Sequence, residues 1–278
     1  MDAASVNGID AMVAAGYVWD VMPHEFPVVL GRDFAGTVDA VGDGGSGIRV
    51  GDRVAGVITA MSLGAGAMAE AVTVDAASLV VVPASVSPVQ AAAIGLAGVA
   101  ATDLVAALEI TAADVVLVAG ATGGVGAFAV QLAAATGATV LATARPGEPS
   151  DFVRALGASV AVDHTADLAA AVSAAAPDGI TAVVHAAGDP AALAALLRPK
   201  GRLASALGAT YEQVGRQDVS VTAVLATATP EKVRSLLDAV EAGSLRVPVA
   251  HLYPFDQAAR ALADFSGHKL GKLVVAVR

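Results

Sequence analysis

The 278-residue chain has no cysteine. That removes disulfides, thiolate nucleophiles and every zinc site built on thiolates, and it accords with a reducing compartment. Positive charge is also scarce: 16 Lys and Arg against 26 Asp and Glu leave a formal net charge of −10. Such a surface disfavours nucleic acid or an anionic membrane as the main partner, while a few local cations still suffice for a small anion. The amino terminus lacks the basic, apolar and cleavable segments of a secretory leader, so a cytoplasmic protein is expected. No apolar run of membrane-spanning length is free of glycine or charge, and a soluble chain is expected. Aromatics make up only 4%, and no low-complexity linker or short repeat interrupts the sequence.

What is present is alanine, valine and glycine in a telling order. Residues 115–147 read VVLVAGATGGVGAFAVQLAAATGATVLATARPG. Val115 to Ala119 form an apolar, β-branched run expected to be a strand buried on both faces. Gly120, Ala121, Thr122, Gly123, Gly124, Val125 and Gly126 follow as a turn, then a helix closed by Gly137, then a second apolar strand. Strand, glycine turn, helix and strand in this order predict a dinucleotide site. The glycines let the backbone approach a pyrophosphate, and the helix start supplies unpaired N–H groups. Ala121 stands where the usual pattern has its first glycine.

The end of the second strand selects the dinucleotide. An NAD site carries Asp or Glu there, whereas this chain has Thr143, Ala144 and Arg145. A guanidinium can pair with a 2′-phosphate that a carboxylate would repel, so NADP(H) is the expected cofactor. The other reading of Arg145 is a solvated loop charge.

Residues 159–164, 181–188 and 201–208 look like further strands between alanine-rich helices, which implies a doubly wound parallel sheet. Gly188 and Gly208 end two of these strands, either to clear the cofactor or simply to turn the chain. Upstream, residues 26–57 break valine-rich runs with Gly-Asp turns, the texture of a small irregular β domain that residues 64–83 continue. A helical segment over 87–108 joins the two parts.

The order of these parts resembles the medium-chain dehydrogenase/reductase superfamily, in its zinc-free quinone oxidoreductase (zeta-crystallin-like) branch. The resemblance rests on SVNGID (5–10), PVVLGRDFAGTV (27–38), VGDRVAG (50–56), LAGVAATDLVAAL (96–108), AGATGGVGAFAVQLA (119–133), LGA (156–158) and GHKLGKLVV (267–275). It implies a GroES-like, mainly β catalytic domain over 1–94 and 246–278, and a Rossmann domain over 95–245 with the cleft at their junction. It also implies a homodimer that passes hydride from NADPH to a small electrophile, a quinone or an α,β-unsaturated carbonyl. By the same resemblance Asn7 lies near the nicotinamide and donates to the acceptor's developing oxyanion, Asp10 braces its loop, and Lys272 lies near the cofactor. Met12, Tyr17 and Trp19 are candidates for the substrate pocket, with packing as the competing role of the aromatics.

Metal-dependent relatives carry Gly-His-Glu where this chain has Gly31, Arg32 and Asp33, and a cysteine near Asn7. The five histidines, His24, His164, His185, His251 and His268, have no paired ligand spacing, so no catalytic metal is expected. Other departures are Met12 in place of a family tyrosine, Ala100 in place of a threonine, and His185 in a strand that often carries Asp. The family's first strands are absent ahead of Met1, so the catalytic domain is expected to be incomplete at that end. Exposed sheet edges and lower stability than an upstream-extended chain would follow. Two rival activities stand beside the reductase: reduction of enoyl thioesters, and NADPH binding by a sensor or structural protein with little turnover.

Overall fold

A computed structural model describes residues 1–43, 47–60 and 63–278. Residues 44–46, part of the Gly-Asp-rich stretch, lie outside the described residues. Along the chain, β1 (Ala3–Ser5) leads into α1 (Gly8–Ala14), β2 (Asp33–Thr37), β3 (Arg53–Val57), β4 (Val80–Val81) and the long helix α2 (Pro88–Ala107). Strands and helices then alternate: β5 (Val115–Ala119), α3 (Gly124–Ala135), β6 (Thr139–Thr143), α4 (Glu148–Ala155), β7 (Val160–Val162), α5 (Leu168–Ala175), β8 (Ile180–His185), α6 (Pro190–Ala195) and β9 (Leu197–Ser205). After them come α7 (Tyr211–Val214), β10 (Ser220–Ala223), α8 (Pro230–Glu241), β11 (Val249–Pro254), α9 (Ala258–Ala263) and β12 (Lys272–Ala276).

The chain divides into two compact units, Met1–Val99 with Ala228–Arg278, and Ala100–Thr227. The boundaries differ from those expected at 94/95 and 245/246. The amphipathic helix α8 goes with the first unit because Val233, Leu236 and Leu237 are buried there, and Leu236 Cδ1 lies 3.0 Å from where a Cβ on Gly98 would stand. The helix α2 runs across the first boundary. It is long and apolar enough to cross a membrane by length and composition, but 56% of that window is buried within the protein, as in a core helix.

In the first unit the sheet order is β11-β12-β1-β2-β3-β4. Strand β1 pairs antiparallel on both sides, Ala4 with Val275 of β12 and with Phe34 of β2. The broken edge expected at the start of the chain is therefore not at β1, whose Ala3, Ala4 and Ser5 are wholly buried; the edges are β11 and the two-residue β4. The alternating residues 71–75, expected to continue the β domain, form no strand. Val72 and Val74 pack half-buried against the cluster of Met1, Ala4, Phe34 and Ala67 without a ladder partner among the described residues.

The second unit is a six-stranded, all-parallel sheet in the order β10-β9-β8-β5-β6-β7. The chain starts at the central β5, runs outward through β6 and β7, then returns to β8, β9 and β10 on the other side. This is the doubly wound topology, and its strand order reverses beside the carboxyl end of β5. Helices on both faces explain the apolar runs: Val116, Leu117, Val118, Val140, Leu141, Val183 and Val184 are all fully buried. Two strands end earlier than the sequence suggests. β8 stops at His185 and β9 at Ser205, so Gly188 and Gly208 lie in the following loops, with φ of +93° and +74°.

Candidate functional site

The second unit builds a candidate binding site from backbone. Gly120 ends β5 with φ +81°, and a Cβ there would meet the Ala187 Cβ at 2.9 Å. The tight-turn glycine is thus Gly120, one residue before the position assigned to it by the usual pattern, while Ala121 is fully buried as packing. Gly126 is held tighter still: a Cβ on it would stand 2.1 Å from the Gly120 carbonyl oxygen. That contact lets the first turn of α3 lie against the end of β5. Gly123 is the N-cap of α3, and no side chain caps it. The first-turn N–H groups, at Gly124, Val125 and Gly126, have no intrahelical acceptor and are candidate donors for an anion. Thr122, Gly123, Gly124 and Val125 are partly exposed around that opening.

Thr143 takes a different place from the one expected of a cofactor ligand. Its hydroxyl accepts from Gly120 N–H at 2.9 Å, and the side chain is buried. Thr143 braces the glycine turn. Two residues on, Arg145 is exposed and forms no ion pair among the described residues. Its charge adds, after the hydrogen bonds from Thr165 and the influence of His164, to holding the Asp163 carboxyl below the usual carboxylate range. At the carboxyl edge of the same sheet His185 is buried, with Nδ1 2.9 Å from Ser205 Oγ and Nε2 3.1 Å from the Gly188 carbonyl. His185 therefore ties two loops together and is a packing histidine. The donor helix start and the side-chain-free glycines fit the pyrophosphate of a dinucleotide.

The first unit carries a cluster of buried polar side chains. Asp33, fully buried at the head of β2, is the hub. Its Oδ2 accepts from Ser5 Oγ at 2.7 Å and from Asn7 Nδ2 at 2.8 Å, and its Oδ1 accepts from Leu96 N–H at 2.8 Å. An N–H in the interior of α2 reaches a carboxylate because residue 95 is glycine; a Cβ there would meet Asp33 Oδ1 at 2.7 Å. Lys272 enters from β12 with its Nζ 2.6 Å from Asn7 Oδ1, 2.8 Å from the Val6 carbonyl and 3.8 Å from Asp33 Oδ2. Burial pushes this ammonium below the usual lysine range, and Asp33 and Asp10 pull it back up.

Asp10 sits beside this cluster. Its carboxylate accepts from Asn7 N–H at 2.8 Å and from Gly31 N–H at 2.9 Å, which fixes the start of α1 to the loop before β2. Gly31 can present that N–H because it has φ +96°, with Met68 N only 2.9 Å from where a Cβ would stand. Burial pushes Asp10 up to about 6, against the hydrogen bonds from Asn7 and Gly31. Asp10 braces the Asn7 loop by these two bonds. A cavity of about 20 Å³, room for one water, lies between Asp10, Val13, Gly31 and Leu63.

The three suggested pocket residues lie on α1 and the chain just after it, with the Tyr17 N–H donating to the Met12 carbonyl at 3.0 Å. Met12 and Trp19 are about two-fifths exposed and Tyr17 is 81% exposed. Trp19 donates to the Val13 carbonyl at 2.8 Å and packs edge-on against Phe26, with His24 beside both. Asp33, Gly31 and Gly95 are the residues that the sequence did not place in the site. The signal for Asp33 was a charged side chain at the head of an otherwise apolar strand, DFAGT.

The donor set does not fit zinc. Where a histidine ligand would stand, the Arg32 guanidinium binds the carbonyls of Ile58 and Ala60, and Asp33 is committed to its three donors. Among the described residues no three His, Asp or Glu side chains are grouped as ligands.

Comparisons with known proteins agree with this architecture. The alcohol dehydrogenase GroES-like domain family matches residues 1–84, and the zinc-binding dehydrogenase family matches residues 156–275. A chloroplast envelope quinone oxidoreductase homolog of Arabidopsis thaliana is 28% identical over 99% of this chain and 88% of its own length. The structure of mycobacterial Rv1454c complexed with NADPH is 30% identical, with a TM-score of 0.86 over 99% of this chain and 90% of that one. An NAD-dependent alcohol dehydrogenase is 27% identical, with a TM-score of 0.89 over 100% and 90% of the two chains. With a Rossmann sheet, a GroES-like sheet and these relatives spanning both, the chain belongs to the medium-chain dehydrogenase/reductase superfamily, in its quinone oxidoreductase branch, and is an oxidoreductase of the nicotinamide-dependent kind.

Proposed function

We propose that the protein is an NADPH-dependent, zinc-independent reductase of quinones or α,β-unsaturated carbonyls. The observation that carries the cofactor choice is Arg145: an exposed guanidinium, with no ion pair among the described residues, at the strand end where an NAD site needs a carboxylate. A bound reduced nicotinamide would supply the hydride. The open N–H groups at the start of α3 bind the pyrophosphate, and Gly188 and Gly208 leave the loops after β8 and β9 without side chains at the sheet's carboxyl edge. In the first unit Asn7 donates an amide N–H to the oxygen that gains charge as hydride arrives, the role of an oxyanion donor. A proton from water completes the reduction. With no cysteine and Arg32 in a ligand's place, charge on that oxygen is met by hydrogen bonding and not by a metal.

The test is NADPH oxidation by the purified chain with a small ortho-quinone, with NADH in parallel. The expected result is rapid loss of NADPH and slow loss of NADH. Arg145→Ala should raise the KM for NADPH by about 10- to 100-fold, the worth of charge-assisted hydrogen bonds, and leave that for NADH unchanged. Equal use of both cofactors by the unaltered chain removes the NADP assignment. No loss of either removes the reductase.

A further inference from the structure

Asn7 is held by its neighbours in a way that a hydrogen-bond donor at a reacting centre would need. Its side-chain oxygen is 2.6 Å from the Lys272 ammonium, and its nitrogen is 2.8 Å from the Asp33 carboxylate. Turning the amide over would place NH2 against an ammonium and a carbonyl oxygen against a carboxylate. Both contacts would become repulsive inside a buried cluster, where electrostatic interactions are least screened. An amide with neutral partners on both sides has no such preference. Here the two charges admit a single orientation.

That orientation leaves one unspent group. Of the two Nδ2 protons, one goes to Asp33, and the other has only the Ser5 carbonyl, 3.5 Å away. The Lys272 Nζ, by contrast, donates to the Val6 carbonyl and Asn7 Oδ1 and stands 3.8 Å from Asp33 Oδ2, and the side chain is 4% exposed. Little of it remains for a phosphate. We infer that Lys272 and Asp33 are positioning residues that clamp the Asn7 amide in one orientation and keep its second N–H available to the acceptor. The clamp is assembled from three separate stretches, at residues 5–7, 33 and 272, so its tension on Asn7 depends on the β1–β2 and β1–β12 pairings.

This inference rests on the reductase reading for its purpose but not for its geometry, and the experiment separates the two. Asn7 is the only asparagine in the chain, so labelling with ¹⁵N-asparagine yields a single side-chain NH2 pair. In the unaltered protein the expected result is that the amide proton donated to Asp33 exchanges with solvent far more slowly than in a free primary amide. Exchange of both protons at the free-amide rate overturns the clamp without any variant. In Lys272→Met the proton on Asp33 should exchange about tenfold faster, the equivalent of one lost charge-assisted hydrogen bond. With a quinone acceptor, kcat should fall by about tenfold or more while the NADPH Kd, read by fluorescence, stays within about twofold. Lys272→Arg, which keeps the charge, should recover part of both effects. An unchanged amide together with a tenfold weaker NADPH Kd overturns the clamp and makes Lys272 a cofactor ligand. Slow exchange in a chain that oxidises no NADPH supports the clamp and removes the reductase reading.

Discussion

The two units build their candidate functional clusters from opposite materials. The second unit uses backbone: glycines at 120, 123, 124 and 126 and a helix start with no capping side chain. The first unit uses ionisable side chains taken fully out of water: Asp10, Asp33 and Lys272 around one asparagine. A backbone site tolerates its ligand's absence, because its open N–H groups lie where solvent can reach them. A buried charge cluster has to satisfy itself, because each ion that loses its partner keeps its desolvation penalty. The first unit should therefore be fragile to charge changes, and the second to added volume.

The largest effect tests the charge side of that comparison. Asp33→Leu strands the Lys272 ammonium and should destabilise the protein by about 3–5 kcal/mol in urea or guanidinium unfolding. Adding Lys272→Met to Asp33→Leu should recover much of the loss, since replacing both ions removes the unpaired charge. A double variant as unstable as Asp33→Leu would place the cost in the abandoned donors of Ser5, Asn7 and Leu96 and not in the ion pair.

This contrast also decides what could be read before the structure. The Rossmann half was legible because a backbone site writes itself as spacing: an apolar strand, then glycines where a Cβ would collide, then a helix. Even there the sequence misplaced the turn glycine by one residue, since the pattern identifies a collision but not which φ is positive. The ends of β8 and β9 were overrun by three residues because the loops up to Gly188 and Gly208 remain apolar. In the first unit, Asn7, Asp10 and Lys272 were picked out by resemblance, yet their mutual contacts span 265 residues of chain and leave no local period. Asp33 was seen only as a member of a lost metal motif. The pairing of β1 between β2 and β12 was likewise invisible, because three small residues, Ala3, Ala4 and Ser5, carry almost no strand signal by themselves.

The next effect tests volume in the second unit. Gly126→Ala places a Cβ 2.1 Å from the Gly120 carbonyl oxygen, a backbone atom that cannot swing aside. The helix start must move away from β5, at about 3 kcal/mol or more, and the pyrophosphate donors move with it. Thermal unfolding and NADPH titration should both record the change. Gly208→Ala is the matched control: no atom lies within 4 Å of the added Cβ, and only the left-handed φ of +74° resists it, at about 1 kcal/mol. Equal losses in the two variants would mean that backbone conformation, and not close approach, dominates in this unit.

The smallest effect returns to the first unit and reads its charges through pH. Burial raises Asp10 from an ordinary 3.8 to about 6, so the folded chain holds that proton more tightly than the unfolded chain does. The stabilisation from this group is fully present below the unfolded value and is lost as pH rises through about 6. Between pH 5 and pH 7.5 the unaltered protein should lose about 1 kcal/mol from this source. Asp10→Asn has no proton to lose, so the stability difference between the two proteins should shrink or reverse across that interval in favour of the variant. Unfolding curves at the two pH values give the difference directly. A difference that stays constant would mean that Asp10 titrates alike in both states, with its hydrogen bonds from Asn7 and Gly31 offsetting the cost of burial. The second unit offers the control, because none of its glycine-loop donors titrates, and Gly126→Ala should show the same deficit at both pH values.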